Sequence, residues 1–152
     1  MADNRKNPYP AFNFKVSIPG VANIGFMECT GLDSENSPME YRDQEVPPGT
    51  DGNFVRKLPG LERYPNIVLK RGITTDKQLW SWRKQVRAGE SYDTIAKDIT
   101  ITLQDEKHTD VLKWKVQKAW PMKLSGPTLN AKSNELAFEQ LELCCERVEV
   151  VD

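Results

Sequence analysis

Histidine, cysteine and the carboxylates are the side chains of this chain that could support catalysis or bind a metal. The single histidine, His108, lies in a predicted turn, with no second histidine or Cys-x-x-Cys pair at metal-ligand spacing. Glu135, Glu139 and Glu142 lie in a predicted strand without an acid–base partner, so we interpret them as solvated charges or interface salt bridges. No phosphate-binding loop or nucleophile motif occurs. We therefore predict a protein without catalysis, metal or cofactor.

A basic face on a predicted helix is the stronger candidate for binding. The helix covers about residues 75–88, with Thr75 as N-cap, Gln78 as capping-box partner and Gly89 as the stop. Its narrow apolar stripe consists of Leu79, Trp82 and Val86. Away from the stripe lie Lys77, Trp80, Arg83, Lys84 and Arg87. Such a face is either solvated or binds an acidic protein surface, and a nucleic acid is the least favoured partner.

Length and composition limit the number of domains and the class of protein. The chain has 152 residues, of which 38% are hydrophobic and 28% charged, which predicts a single domain over residues 1–152 with residues 1–9 as an N-terminal arm. The net charge of −1 gives no overall attraction to nucleic acid or an anionic membrane. No apolar run approaches the roughly 20 residues that span a bilayer, and the beginning lacks a signal-peptide core. We therefore expect synthesis in the cytoplasm and no membrane insertion of the monomer.

Alternation of apolar and polar residues with a period of two predicts several strands. Residues 12–18 form the first, residues 24–32 a second that returns antiparallel to it, and a third contains Ile67 and Leu69. Residues 99–104 and 112–117 form a hairpin with one apolar and one polar face around a turn at 105–110. In the last strand the apolar phase shifts twice between Leu136 and Val150, which predicts bulges or a change of packing partner.

The segment from about residue 33 to residue 60 is polar and rich in proline and glycine. Met39–Glu45 and Phe54–Leu58 are predicted arms of a projecting hairpin around that turn. Long excursions from a small domain are usually functional, and this one favours contact with a partner over chemistry.

Three stretches of the chain resemble one protein family in order. They include Pro10-Ala-Phe-Asn-Phe-Lys-Val-Ser-Ile, Tyr64-Pro-Asn-Ile-Val-Leu-Lys-Arg-Gly and Ala119-Trp-Pro-Met-Lys-Leu-Ser-Gly-Pro-Thr-Leu-Asn-Ala. The family is that of the inner tail-tube proteins of contractile phages and extracellular contractile injection systems. The resemblance runs from about residue 8 to residue 150, and it departs at Cys145-Glu146-Arg147, where the family often has His-Glu-Gly.

The resemblance implies a mainly β fold, with two antiparallel sheets in a sandwich or small barrel and one flanking helix. It also implies rings of six subunits that stack into a hollow tube. The implied partners are further copies of the chain, a sheath protein, baseplate or tube-initiator and tube-terminator proteins, and protein cargo in the lumen. The resulting phage-tail-like particle would be released from the cell that assembles it.

Three sets of residues become candidate contact sites on this hypothesis. The polar faces of the hairpin would line the lumen: Thr100, Thr102, Gln104, Lys113, Lys115 and Gln117. The long excursion would stack rings through Glu40, Tyr41, Arg42, Arg56 and Lys57. The basic helix face of Lys77, Trp80, Arg83, Lys84 and Arg87 would meet the sheath.

Two alternatives stay open at this point. The nearer is a tube-initiator or baseplate protein of the same fold, made in few copies. The more distant is a monomeric β-barrel that binds a small ligand or nucleic acid, which would need an enclosed apolar pocket or a wide basic surface.

Overall fold

The structure of the chain is a computed structural model that describes residues 7–11, 13–21, 25–42, 55–132 and 136–151. About half of these residues lie in strands. In chain order the elements are β1 (Phe14–Ser17), β2 (Glu28–Thr30), β3 (Glu35–Arg42), β4 (Val55–Arg63), β5 (Ile67–Gly72), α1 (Gln78–Arg87), α2 (Tyr92–Ile95), β6 (Lys97–Gln104), β7 (Asp110–Ser125), β8 (Phe138–Cys144) and β9 (Arg147–Val151).

Seven strands form one antiparallel sheet in the order β1-β6-β7-β8-β5-β2, with β9 also paired to β7. The long strand β7 belongs to two parts of this sheet. Residues Asp110 to Ala119 pair with β6, whereas Trp120 to Ser125 pair with β8. We call β1, β6, β9 and the first part of β7 the front half, and β2, β5, β8 and the rest of β7 the back half. Strands β3 and β4 form a separate two-stranded sheet.

The core lies between the two halves. The front half contributes the side chains of Val16, Ile99, Ile101 and Val116, and the back half contributes Ile67, Leu69, Leu141 and Leu143. All belong to one cluster of buried residues, as facing halves of a sandwich require. The predicted mainly β sandwich is confirmed, and the described strands do not close into a barrel.

Helix α1 covers one side of this core and is shorter than predicted. Leu79 and Trp82 are buried as expected, and the indole Nε1 of Trp82 donates a hydrogen bond to the Ile95 carbonyl at 2.8 Å. The predicted capping box is wrong, because Lys77 is the N-cap residue and forms no side-chain cap. Instead, the Asp76 carboxylate accepts the Gln78 N–H at 2.9 Å. Gly89 ends the helix with φ of +75°, as predicted.

Two strands differ from the prediction. The predicted second strand, residues 24–32, does not pair with the first. Strand β2 has only three residues and pairs with β5, whereas β1 pairs with β6. Gly31 makes the first pairing feasible, since a Cβ there would lie 2.2 Å from the Asn66 carbonyl oxygen beside β5. The last strand does change partners, because β8 pairs with β5 and β7 whereas β9 pairs with β7 alone.

Candidate assembly surfaces

The outer face of the front half carries all six predicted lumen residues. Strand pairing aligns Lys15 with Thr102 and Lys113, and Ser17 with Thr100 and Lys115. Gln117 pairs with Arg147 of β9 on the same face. Because the alternate residues Ile99, Ile101 and Val116 are buried, this face points away from the core. The predicted hairpin with one apolar and one polar face is therefore confirmed.

Two carboxylates, those of Asp110 and Glu149, form hydrogen bonds and ion pairs with their neighbours on this polar face. Asp110 accepts a hydrogen bond from the Gln104 amide at 2.9 Å and lies 3.3 Å from the Lys15 ammonium and 3.9 Å from that of Lys113. The hydrogen bond from Gln104 is the main cause that lowers the pKa of Asp110. A second group on this face comprises Glu149 with Arg147 at 2.8 Å and Gln117 at 3.3 Å.

Thr102 differs from the other lumen candidates because its side chain is buried, at 3% exposure. It lies between Lys15 and Lys113 in the sheet, and both ammonium groups approach Asp110. The aliphatic stems of such lysines cover neighbouring surface. In a single copy of the chain, Thr102 therefore supports the face without presenting its hydroxyl to solvent.

Strands β3 and β4 confirm the predicted projecting hairpin, although their bounds differ. The arms pair Glu40 with Lys57, Tyr41 with Arg56 and Arg42 with Val55. All five ring-stacking candidates are therefore brought together, and all are exposed. The ammonium of Lys57 lies 3.9 Å from the Glu40 carboxylate, an exposed pair of little energetic weight. The predicted arm residues 43–45 and 54, and the turn at 46–53 between them, lie outside the described residues.

The five sheath-facing candidates lie off the buried stripe of Leu79 and Trp82, four of them on α1 and Lys77 at its N-cap. Lys77, Trp80, Lys84 and Arg87 are exposed, and Arg83 is half-buried. Trp80 is 41% exposed, as its position off the apolar stripe predicted. It borders an open cleft of about 500 Å³ whose wall includes Ile73 and Pro127. Lys84 and Arg87 occupy the last turn, where cations interact favourably with the helix dipole.

A buried ion pair beneath this cleft escaped the sequence analysis. Arg71 of β5 and Glu139 of β8 are direct cross-strand partners, and the Arg71 Nε donates to the Glu139 carboxylate. Arg71 also donates to the Asp76 carbonyl at 3.3 Å and so ties the approach to α1 to the sheet. Glu139 is in phase with the buried Leu141 and Leu143, and that shared parity was the available signal.

The described residues that could support catalysis or bind a metal do not come together in one site. His108 lies exposed in the turn between β6 and β7, with φ of 61°, where the Asp105 carboxylate accepts the N–H of Lys107 and of Thr109. Glu142 accepts a hydrogen bond from Asn66, and Glu135 lies outside the described residues. Across the described ranges, no group of three or more His, Cys, Asp or Glu side chains could hold a metal ion. No helix among them is long and apolar enough to cross a membrane.

A family model and several solved structures match this chain over most of its length. A family model described as T4-like virus tail tube protein gp19 matches residues 10–149. The chain is 30% identical to a chain in the extended sheath–tube complex of the extracellular contractile injection system PVC, covering 96% of this chain and 93% of that one at a TM-score of 0.80. It is 30% identical to a chain of the PVC sheath/tube terminator structure, with coverage of 97% and 99% and a TM-score of 0.82.

The chain also shares 29% identity with a chain in the tube terminating cap of the anti-feeding prophage, covering 99% of this chain and 95% of that one at a TM-score of 0.81. No curated protein sequence matches it significantly. Together with the polar sheet face and the exposed hairpin, these likenesses define a structural tube subunit of a contractile injection system. The chain belongs to the T4-like virus tail tube protein family.

Proposed function

We propose that six copies of this chain form a ring and that rings stack into the hollow inner tube of a contractile injection system, without catalysis. The observation that carries the proposal is the likeness to a chain of the PVC sheath–tube complex over 96% of this chain. Assembly into a tube of identical copies would also pair the exposed edge strands of the front half between copies, and paired edges no longer promote aggregation.

The outer face of the front half is the proposed lumen wall. On this face Asp110 pairs with Lys15 and Glu149 pairs with Arg147, and neutral side chains such as Thr100 and Gln117 lie beside them. Pairing of opposite charges weakens the field that would hold a passing protein cargo. We place Thr102 beneath this wall as support, and Gln104, Lys113 and Lys115 on it.

The remaining two surfaces are assigned to different partners. The β3–β4 hairpin, with Glu40, Tyr41, Arg42, Arg56 and Lys57, stacks one ring on the next. The basic face of α1 around Trp80 meets the sheath, where charge complementarity orients the partner while each exposed ion pair contributes only about 0–1 kcal/mol. Baseplate or initiator and terminator proteins cap the two ends, and assembly takes place in the cytoplasm before the particle is released.

Negative-stain electron microscopy of the purified chain at rising concentration tests the proposal. We expect rings and hollow tubes whose length grows with protein concentration. A chain that remains monomeric at high concentration contradicts the proposal. A chain that forms single rings only, in the presence of a baseplate template, would instead assign it to the end of a tube.

A further inference from the structure

The carboxylate of Asp110 is shared by two cations on the outer face of the front half. Its oxygens lie 3.3 Å from the Lys15 ammonium and 3.9 Å from the Lys113 ammonium. The two lysine side chains are 59% and 47% exposed, so one negative charge meets two solvated positive charges. These three side chains together therefore carry one positive charge more than they neutralise.

The carboxylate of Glu149 has the same relation to Arg147 and Lys115. Its ion pair with the Arg147 guanidinium is 2.8 Å long, and the exposed Lys115 is its cross-strand partner on β7. Gln117 donates a hydrogen bond from a neutral group to the same carboxylate at 3.3 Å. The four cations and two carboxylates of both groups leave an excess of two positive charges on the strands of this face.

Charges at the ends of this face do not cancel the excess. At the start of β6 the Asp98 carboxylate accepts the N–H of Lys118, and these two side chains carry opposite charges. The turn between β6 and β7 contains Asp105, Glu106 and Lys107, so it removes only one of the two excess charges. A positive excess therefore lies along the strands, although the chain as a whole carries −1.

In the proposed tube this excess is repeated around the lumen in every copy and every ring. Rings of lysine and arginine side chains favour anions in narrow pores, because the fields of like charges add across the opening. Pairing with Asp110 and Glu149 keeps each contact weak, which allows a bound group to move on. We propose that the lumen wall selects acidic protein cargo, an inference that rests on the proposed function.

The composition of the face favours an acidic protein over a nucleic acid. Single strands are usually held by exposed aromatic side chains on which the bases stack. The described residues of this face include no such side chain, since Phe14 and Trp114 are in phase with the buried residues of their strands. The two carboxylates would also repel a continuous row of phosphates, whereas the scattered carboxylates of a protein can avoid them.

Retention of charged peptides in assembled tubes tests the proposal. Tubes are grown from the purified wild-type chain with a fluorescent polyglutamate of about 20 residues, pelleted, and washed at about 50 mM salt, where screening is weak. We expect the tubes to retain polyglutamate on the order of tenfold more than polylysine of the same length. A wash at about 0.5 M salt should release it, because the Debye length falls below about 5 Å.

Variants of the wall show whether the lumen holds the peptide. Lys113→Gln with Lys115→Gln removes the excess from the strands and should lower the retention of polyglutamate about tenfold. Lys84→Gln with Arg87→Gln is the matched control, because it removes the same charge from exposed side chains of α1, and it should leave retention unchanged. Gln117→Lys adds a cation to the wall and should raise retention, a gain that misfolding cannot imitate. If the double lysine variant forms no tubes, the Gln117→Lys tubes decide.

The outcomes separate this inference from the proposed function. Equal retention of polyglutamate and polylysine, unchanged retention without the two lysines, or loss of retention in the α1 control overturns the inference. Stronger retention of an oligothymidylate of equal length also overturns it, since the lumen would then favour nucleic acid. Wild-type tubes that retain no peptide refute the cargo inference alone. A wild-type chain that forms no tubes refutes the proposed function and this inference with it.

Discussion

Arg71 and Glu139 occupy core-facing positions in the back half, so removing one of them should destabilise the chain more than removing both. Their side chains are 3% and 5% exposed, and the Arg71 Nε donates to the Glu139 carboxylate. Arg71→Met leaves that carboxylate buried without its cation. The double variant Arg71→Met with Glu139→Leu replaces both charges by apolar groups of similar length, in phase with Leu69 and Leu141.

The magnitude follows from the burial of the pair. Breaking a buried ion pair by removing one partner costs about 3–5 kcal/mol, because an uncompensated charge remains in a medium of low polarity. Arg71→Met also removes the ion pair between the Arg71 Nη1 and the partly exposed Asp76 carboxylate, 3.8 Å apart, which adds less than about 1 kcal/mol. For a chain of this length the single variant should therefore melt about 6–20 °C below the wild type. Replacing both partners by apolar groups is often close to neutral.

Urea unfolding followed by tryptophan fluorescence measures these differences, at a concentration where light scattering detects no assembly, since association adds apparent stability. A double-mutant cycle then gives the coupling between Arg71 and Glu139. Arg71→Lys is the matched control, because it keeps the charge but lacks the guanidinium fork. Its free energy of unfolding should lie between those of the wild type and Arg71→Met. A single variant that costs less than about 1 kcal/mol, or a double variant less stable than Arg71→Met, refutes the reasoning.

The other predictions concern the assembly surfaces and the half-buried thiol of Cys29. Reversing the charges of Lys84 and Arg87 to glutamate should prevent sheath assembly in co-expression yet leave bare tubes, and normal sheathed particles would contradict the α1 assignment. Deleting residues 46–53 should leave soluble subunits or single rings, and tubes of normal length would refute the stacking role. Burial raises the pKa of Cys29 to about 11, so its alkylation by iodoacetamide at pH 8 should be roughly tenfold slower in folded than in unfolded chains. Equal rates by peptide mass spectrometry would contradict that burial.

Two controls complete these experiments. Lys107→Glu with Lys132→Glu makes the same change in net charge at exposed positions outside α1, and it should leave sheath assembly intact. The raised pKa of Cys29 also fixes the sign of a pH effect. The folded state keeps the thiol proton longer than the unfolded state, so its stability is full below about pH 9 and falls as pH rises towards 11. Cys29→Ala should remove the contribution of this thiol to the pH dependence.

The sequence predicted best those elements whose residues alternate strictly. The β6–β7 hairpin followed from the phase of Ile99, Ile101 and Val116, and the exposure of Trp80 followed from its angle on the helix. Both features depend on local period alone. The partner of β2 depended on Gly31 approaching the Asn66 carbonyl, a contact 35 residues apart that no local pattern encodes.

The site was harder to predict where polar residues take core positions. Arg71 and Glu139 are in phase with apolar neighbours, but a charge in a strand normally indicates a solvated face, and only the β5–β8 register shows that the two neutralise each other. Thr102 differs in the opposite direction, since its parity points outward, yet its side chain is buried between its register partners Lys15 and Lys113. In both cases the decisive fact was the identity of the cross-strand neighbour.

The most direct test of the account is a cryo-electron microscopy map of wild-type tubes assembled from the purified chain. We expect six copies per ring, the outer face of the front half with Lys113 and Lys115 on the lumen, and the basic face of α1 on the exterior. A tube in which Lys113, Lys115 and Gln117 are buried between sheets, with α1 inside, would contradict it.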